Sequence, residues 1–239
     1  LLVECLSNLG VTTSFGVPGE SYLAVLDALY DADIKFTLCR HESAAGFAAA
    51  AYGKLTGAPG IGFVTRGPGA TNASIGVHTA MQDSSPMILF IGQVGVNDKG
   101  REAFQEVDYR AFFTPLAKWA TEIDNPDRIP EIISRAWHMA LSGRPGPVVV
   151  ALPEDMLTTL TESKPCQPVV IAEAGVDKDG LTQALEMLSA AENPLIIAGG
   201  GGWNAAGKKA LQRFAESQNI AVSAAFRYHD VIDNYSPIY

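Results

Sequence analysis

Short apolar runs recur along this chain, each followed by a stretch with helical spacing, and that alternation admits few folds. Residues 12–16, 36–39, 61–65, 87–91, 116–123 and 148–152 read as strands. Helical periodicity covers 1–9, 20–31, 42–56, 69–82 and 129–141; in the second of these Tyr22, Leu23, Leu26, Leu29 and Tyr30 share one stripe. Strands alternating with helices of this length predict an α/β fold, a doubly wound parallel sheet covered on both faces. Residues 92–107 stand apart as a long polar loop, and loops of that length tend to carry function.

From 158 to about 174 the chain turns to Thr, Pro and Glu with little periodicity, which reads as a linker. The expected organisation is a first domain over 1–160, a linker over 161–175 and a second, Rossmann-like α/β unit over 176–239. About 65 residues is less than a typical domain, so the second unit reads as truncated and the chain as a fragment.

Hydrophobic residues make up 47% of the chain, enough for a substantial core. A net charge of -9 argues against a nucleic-acid backbone or an anionic membrane surface as partner, since both require a basic face. Apolar runs such as 87–91 are far shorter than the roughly 18 residues of a membrane span. Cys5, Cys39 and Cys166 are odd in number and lack CxxC spacing, which predicts reduced thiols and a cytoplasmic protein. The chain opens on Leu1 without an initiator Met, so upstream targeting residues stay an open question.

Three motifs carry chemistry. Cys39-Arg40-His41-Glu42 leads from a strand into the Ala-rich helix 42–56 and sets one carboxylate in its first turn. Gly67-Pro68-Gly69-Ala70-Thr71-Asn72 links a strand to the next helix, and Ala103-Phe104-Gln105-Glu106 lies in the long loop. Each has a plain structural explanation: an anion favoured by the helix dipole, a tight turn with Thr71 or Asn72 as cap, and a Phe anchoring a loop. Taken together and in this order, they resemble the pyrimidine-binding half of thiamine-diphosphate enzymes, closest to the acetolactate synthase group. The resemblance covers essentially the whole chain.

That resemblance implies that Glu42 hydrogen-bonds the aminopyrimidine of thiamine diphosphate and so promotes loss of the thiazolium C2 proton, the cofactor then acting as electron sink in decarboxylation. Neighbouring Ala44, Ala45, Phe47 and Ala48 are expected to desolvate the carboxyl. By the same resemblance Val17, Pro18, Pro68 and Asn72 approach the pyrimidine, while Phe104 and Gln105 reach the substrate side. Glu20 departs from acetolactate synthases, which place a small residue there; it reads equally as a helix-end acid or a substrate-side group. This keeps plain 2-oxo acid decarboxylation open beside carboligation, and a non-catalytic cofactor-binding homologue is a third reading.

Gly199-Gly200-Gly201-Gly202 follows a strand and precedes a helix, a place where backbone amides can hold a pyrophosphate. It lacks the full GxGxxG pattern and a following acid, which argues against NAD. Acetolactate synthases bind FAD across this turn and the arginine of the SGRPGP segment, here Arg144, while relatives keep the turn without flavin; FAD is therefore open. Mg²⁺ and the diphosphate are expected in a third domain outside this chain, with no metal ligands within it. Family active sites form between subunits, which implies a dimer or larger homo-oligomer. The implied substrate is a 2-oxo acid.

Overall fold

The computed structural model describes residues 1–168 and 170–239. Contacts divide the chain into two units, Leu1–Ile171 and Ala172–Tyr239.

The first unit is built on a sheet of β1 (Thr13–Gly16), β2 (Lys35–Leu38), β3 (Gly60–Val64), β4 (Met87–Gln93), β5 (Trp119–Glu122) and β6 (Pro147–Pro153). All pairings are parallel, in the order β2-β1-β3-β4-β6-β5. Around it stand α1 (Leu2–Asn8), α2 (Leu23–Tyr30), α3 (Glu42–Thr56), α4 (Pro68–Asp83), α5 (Tyr109–Phe113), α6 (Ile129–Leu141) and α7 (Glu154–Thr158). The central strands are buried on both faces, and their side chains alternate between two cores. Ile88, Phe90, Val148 and Val150 pack with Leu6, Leu29 and Ile133 from α1, α2 and α6. Leu89, Ile91, Val149 and Ala151 pack with Ala49, Ala73, Val77 and Phe113 from α3, α4 and α5. This period-two division confirms the doubly wound parallel sheet.

The chain passes from β1 outward to β2, then returns to the other side of β1 to continue through β3. The order reverses between β1 and β3, and in open α/β sheets a ligand crevice lies outside the carboxyl ends of the strands at that reversal. All three turns that matter below start there.

α3 and α4 lie against each other more closely than side chains permit. A Cβ on Gly76 would stand 2.4 Å from the carbonyl carbon of Gly46, and one on Gly46 would stand 3.0 Å from Ala73 O. The stripe of Gly and Ala on both helices is therefore what brings their first turns together.

Several elements differ from the sequence expectation. The helix from residue 20 begins as a 3-10 turn over Glu20–Tyr22, because Gly19 is extended and no side chain caps it. α5 and α7 were not predicted; at five residues each they span less than two turns, too short to show a period. β5 starts at Trp119 rather than 116, since Leu116 and Ala117 donate their N–H groups to Phe113 O to close α5.

Residues 161–166 run along the first unit: Asn8 Nδ2 donates to Cys166 O at 3.1 Å, and Cys166 N–H points to Cys5 Sγ at 3.3 Å. The second unit holds α8 (Lys178–Ala190), β7 (Leu195–Ala198), α9 (Ala205–Gln218) and β8 (Ala221–Ala224), its two strands parallel. Its core is Ala198, Ala215, Val222, Val231 and Ile232. No helix among the described residues is long and apolar enough to cross a membrane.

Candidate active site

At the carboxyl end of β2, His41 is extended and caps α3, its Nδ1 accepting from Ser43 N–H at 3.2 Å. Glu42 is consequently the first helical residue, where its charge faces the positive end of the helix. It is half-buried, and its Oε2 accepts from Asn72 Nδ2 at 3.0 Å. Asn72 comes from the start of α4, so the turn after β3 reaches across to the turn after β2.

That turn is Thr65-Arg66-Gly67-Pro68-Gly69. Gly67 has φ +59, and a Cβ there would lie 2.7 Å from Gln105 Cβ. Only glycine meets both demands, conformation and space. Gly69 faces Glu42, its Cβ direction ending 3.6 Å from Oε1. Pro68 and, on the turn after β1, Pro18 are exposed, while Val17 is half-buried. Val17 O accepts from the Tyr22 hydroxyl at 2.5 Å, and Ser21 Oγ meets Thr65 Oγ1 at 2.9 Å. The Tyr22 hydroxyl is held protonated by burial and by the nearby Glu42 carboxylate. The three turns thus form one hydrogen-bonded cluster with a carboxylate at its centre and prolines at its rim.

Residues 93–109 are stapled at many points. Glu106 accepts from Gly100 N–H and Ala103 N–H, and these amides hold its carboxyl below the usual range. Gln93 Nε2 donates to Val107 O, Asp155 accepts from Val96 N–H, and Lys99 pairs with Glu122. The Tyr109 hydroxyl accepts from Gly67 N–H at 2.7 Å. Gln105 lies over the glycine turn with φ +63, and the Phe104 ring is 74% exposed.

Glu42, Asn72, Pro68, Val17 and Pro18 therefore stand on or just after the linked turns at the carboxyl ends of β1, β2 and β3, where the sheet reversal opens a crevice, with Gln105 over the glycine turn and Phe104 beside it in the loop. Arg144 stands elsewhere in the first unit, closing the far end of α4 through Ser84 Oγ and the carbonyls of Met81 and Gln82. Gly199, Gly200 and Gly201 form the turn between β7 and α9 in the second unit, with Gly199 O accepting from Trp203 Nε1. Among the described residues no group of three or more His, Cys, Asp or Glu is placed to hold a metal ion. The expected apolar shield of Glu42 is different in detail: Ala45 is buried, but Ala44 and Phe47 are exposed on α3, and Glu42 stays half-buried.

Three polar residues of the cluster escaped the sequence reading. Tyr22 reads only as part of a helix stripe, and nothing in the pattern around Tyr109 marks it. Arg66 is 6% exposed, and its charge at the end of a fully buried strand, between Thr65 and the glycine turn, was the available signal.

The fold and its turns define a doubly wound α/β protein with a carboxylate, Glu42, at the sheet's switch point. Residues 1–112 match the family described as thiamine pyrophosphate enzyme, N-terminal TPP binding domain, and residues 181–239 match the thiamine pyrophosphate enzyme central domain. The chain belongs to the thiamine pyrophosphate enzyme family. It is 34% identical to the acetolactate synthase isozyme 2 large subunit of Escherichia coli (strain K12), over 100% of this chain and 43% of that protein. It is 36% identical to the acetolactate synthase large subunit of Corynebacterium glutamicum, over 92% of this chain and 36% of the relative. Against the acetolactate synthase of Bacillus subtilis (strain 168) the identity is 34%, over 92% and 39%. The chain thus spans about two-fifths of the length of these relatives.

Proposed function

We propose that this chain supplies the pyrimidine-binding part of an enzyme that decarboxylates a 2-oxo acid with thiamine diphosphate and joins the product to a second carbonyl compound. The carrying observation is Glu42: a half-buried carboxylate at a helix start, one oxygen held by Asn72 and the other beside Gly69. The residues present fit the cofactor's ring. Gly69 leaves room against the acid, exposed Pro18 and Pro68 offer apolar edges, and Oε1 is not engaged by Asn72. Glu42 would hold or release a proton at a ring nitrogen, with Asn72 fixing its orientation. Val17 and Pro18 would line the ring, and Gln105 would face the substrate. When bound, thiamine diphosphate supplies the carbanion and electron-sink chemistry.

The same reading assigns Mg²⁺ and the diphosphate to sequence outside this chain, and the active unit to a homo-oligomer. It also includes cytoplasmic location, consistent with free Cys5, Cys39 and Cys166. FAD at the Gly199–Gly201 turn is a separable part of the proposal, tested by flavin absorbance of the purified protein.

The deciding experiment uses the full-length protein with thiamine diphosphate, Mg²⁺ and pyruvate. Acetolactate as product, lost in Glu42→Gln, supports the proposal. Acetaldehyde alone would shift the assignment to a plain decarboxylase, and a Glu42→Gln variant with unchanged rate would defeat it.

A further inference from the structure

Arg66 gathers three chain segments at the carboxyl ends of the strands. Its Nη2 donates to Glu20 Oε1 at 2.6 Å, its Nη1 to Glu154 Oε2 at 3.0 Å, and its Nε to the Phe104 carbonyl at 3.2 Å. Glu20 follows β1, Glu154 follows β6, and Phe104 belongs to the long loop. The exposures are unequal: the Arg66 side chain is 8% exposed, against 71% for Glu20 and 46% for Glu154. The buried member is the cation, and the two acids hold it from the solvent side.

A buried guanidinium with its fork already oriented is a rigid donor. Its third bond goes to a backbone carbonyl, that of the residue directly before Gln105. Gln105 is left-handed, a conformation that non-glycine residues hold only under outside constraint. On its other side Gln105 is stopped by the bare Gly67, and four residues later Tyr109 accepts the Gly67 N–H. The Phe104 carbonyl is thus the fastening nearest to Gln105 on its upstream side, after those at Val96 and Lys99.

We propose that Arg66 is a positioning residue, its guanidinium locking the Phe104 carbonyl so that Gln105 is presented over the glycine turn, with Glu20 and Glu154 orienting the guanidinium. This gives Glu20 a role in loop placement. The catalytic consequence rests on the thiamine-diphosphate reading; the structural one does not.

The test uses the full-length protein as wild type, Arg66→Met, Arg66→Lys, Gln105→Ala and the double variant Arg66→Met/Gln105→Ala. Arg66→Met leaves both acids solvated and so preserves folding, whereas loss of either acid would leave the buried guanidinium one ionic partner short. Hydrogen exchange at the Gly100, Ala103 and Glu106 amides should quicken at least about tenfold in Arg66→Met and less in Arg66→Lys. With pyruvate as substrate, kcat should fall roughly 10- to 100-fold in Arg66→Met, since misplacement of about 1 Å can have that effect. The double variant should be no slower than Gln105→Ala alone, because Arg66 acts through Gln105. Unchanged exchange in Arg66→Met overturns the proposal whether or not pyruvate is turned over, as do losses that multiply in the double variant. Absence of pyruvate turnover in the wild type counts against the proposed function and leaves the exchange result to decide on Arg66.

Discussion

Asn72 donates its side-chain N–H to Glu42 Oε2 across 3.0 Å, joining the start of α4 to the first residue of α3. The amide engages Oε2 and leaves Oε1, the oxygen that the proposed function gives to the cofactor. Both groups are open to solvent on one side, so the bond matters more for orientation than for folding. Asn72→Ala in the full-length protein should lower thiamine-diphosphate-dependent kcat by about tenfold while shifting stability by less than about 0.5 kcal/mol. Parallel kinetics and thermal melts check this; a large drop in melting temperature with kcat intact would refute it.

Gly67→Ala meets two penalties at once, a positive φ and a Cβ 2.7 Å from Gln105 Cβ. We expect a stability loss of about 1–3 kcal/mol, read by urea unfolding, together with faster proteolysis within residues 97–107. An unchanged unfolding midpoint would mean that turn and loop can part freely.

Alkaline pH should weaken the first unit through Tyr109. Burial pushes its hydroxyl up to about 12 from the ordinary 10, the Gly67 N–H acting the other way. The folded value is raised, so its contribution is fully present below pH 10 and is lost as pH rises through 12. The loss amounts to roughly 2–3 kcal/mol. Urea midpoints of wild type and Tyr109→Phe at pH 8, 10 and 11 test this: the wild-type advantage should narrow only above pH 10. Narrowing between pH 6 and 9 would assign the effect to another group.

Ser14 Oγ is buried with no hydrogen-bond partner, the sole such side-chain atom among the described residues. Ser14→Ala should therefore be neutral or stabilising by up to about 1 kcal/mol, since it removes an unpaired polar group from the interior. Clear destabilisation in a urea titration would show that the hydroxyl is solvated after all.

The doubly wound sheet was legible because its signal is periodic: residues 87–93 and 147–153 supply alternate side chains to two cores, and α3 begins and ends at the residues that its pattern predicts. Glu42 and the glycine turn stood out only through three motifs that together resemble a known family; taken alone, Glu42 reads as an anion at a helix start and the turn as a tight bend. The Asn72–Glu42 bond was not legible, since it joins positions 30 apart whose contact depends on how two helices cross. Arg66 was hidden for a related reason. Its partners at 20, 104 and 154 are far apart in sequence and meet only once the strand order is known. α5 and α7 were missed because a helix of five residues is specified by its neighbours rather than by its own pattern.

The contact between Gly46 and Gly76 carries a consequence for how this protein can vary. With no side chains between them, the two helices are gauged by main chain alone, and the acid on one and the amide on the other ride on a spacing that residue size cannot tune. The interval between the two polar arms is therefore set where backbones touch, and any larger residue at that crossing would meet main chain.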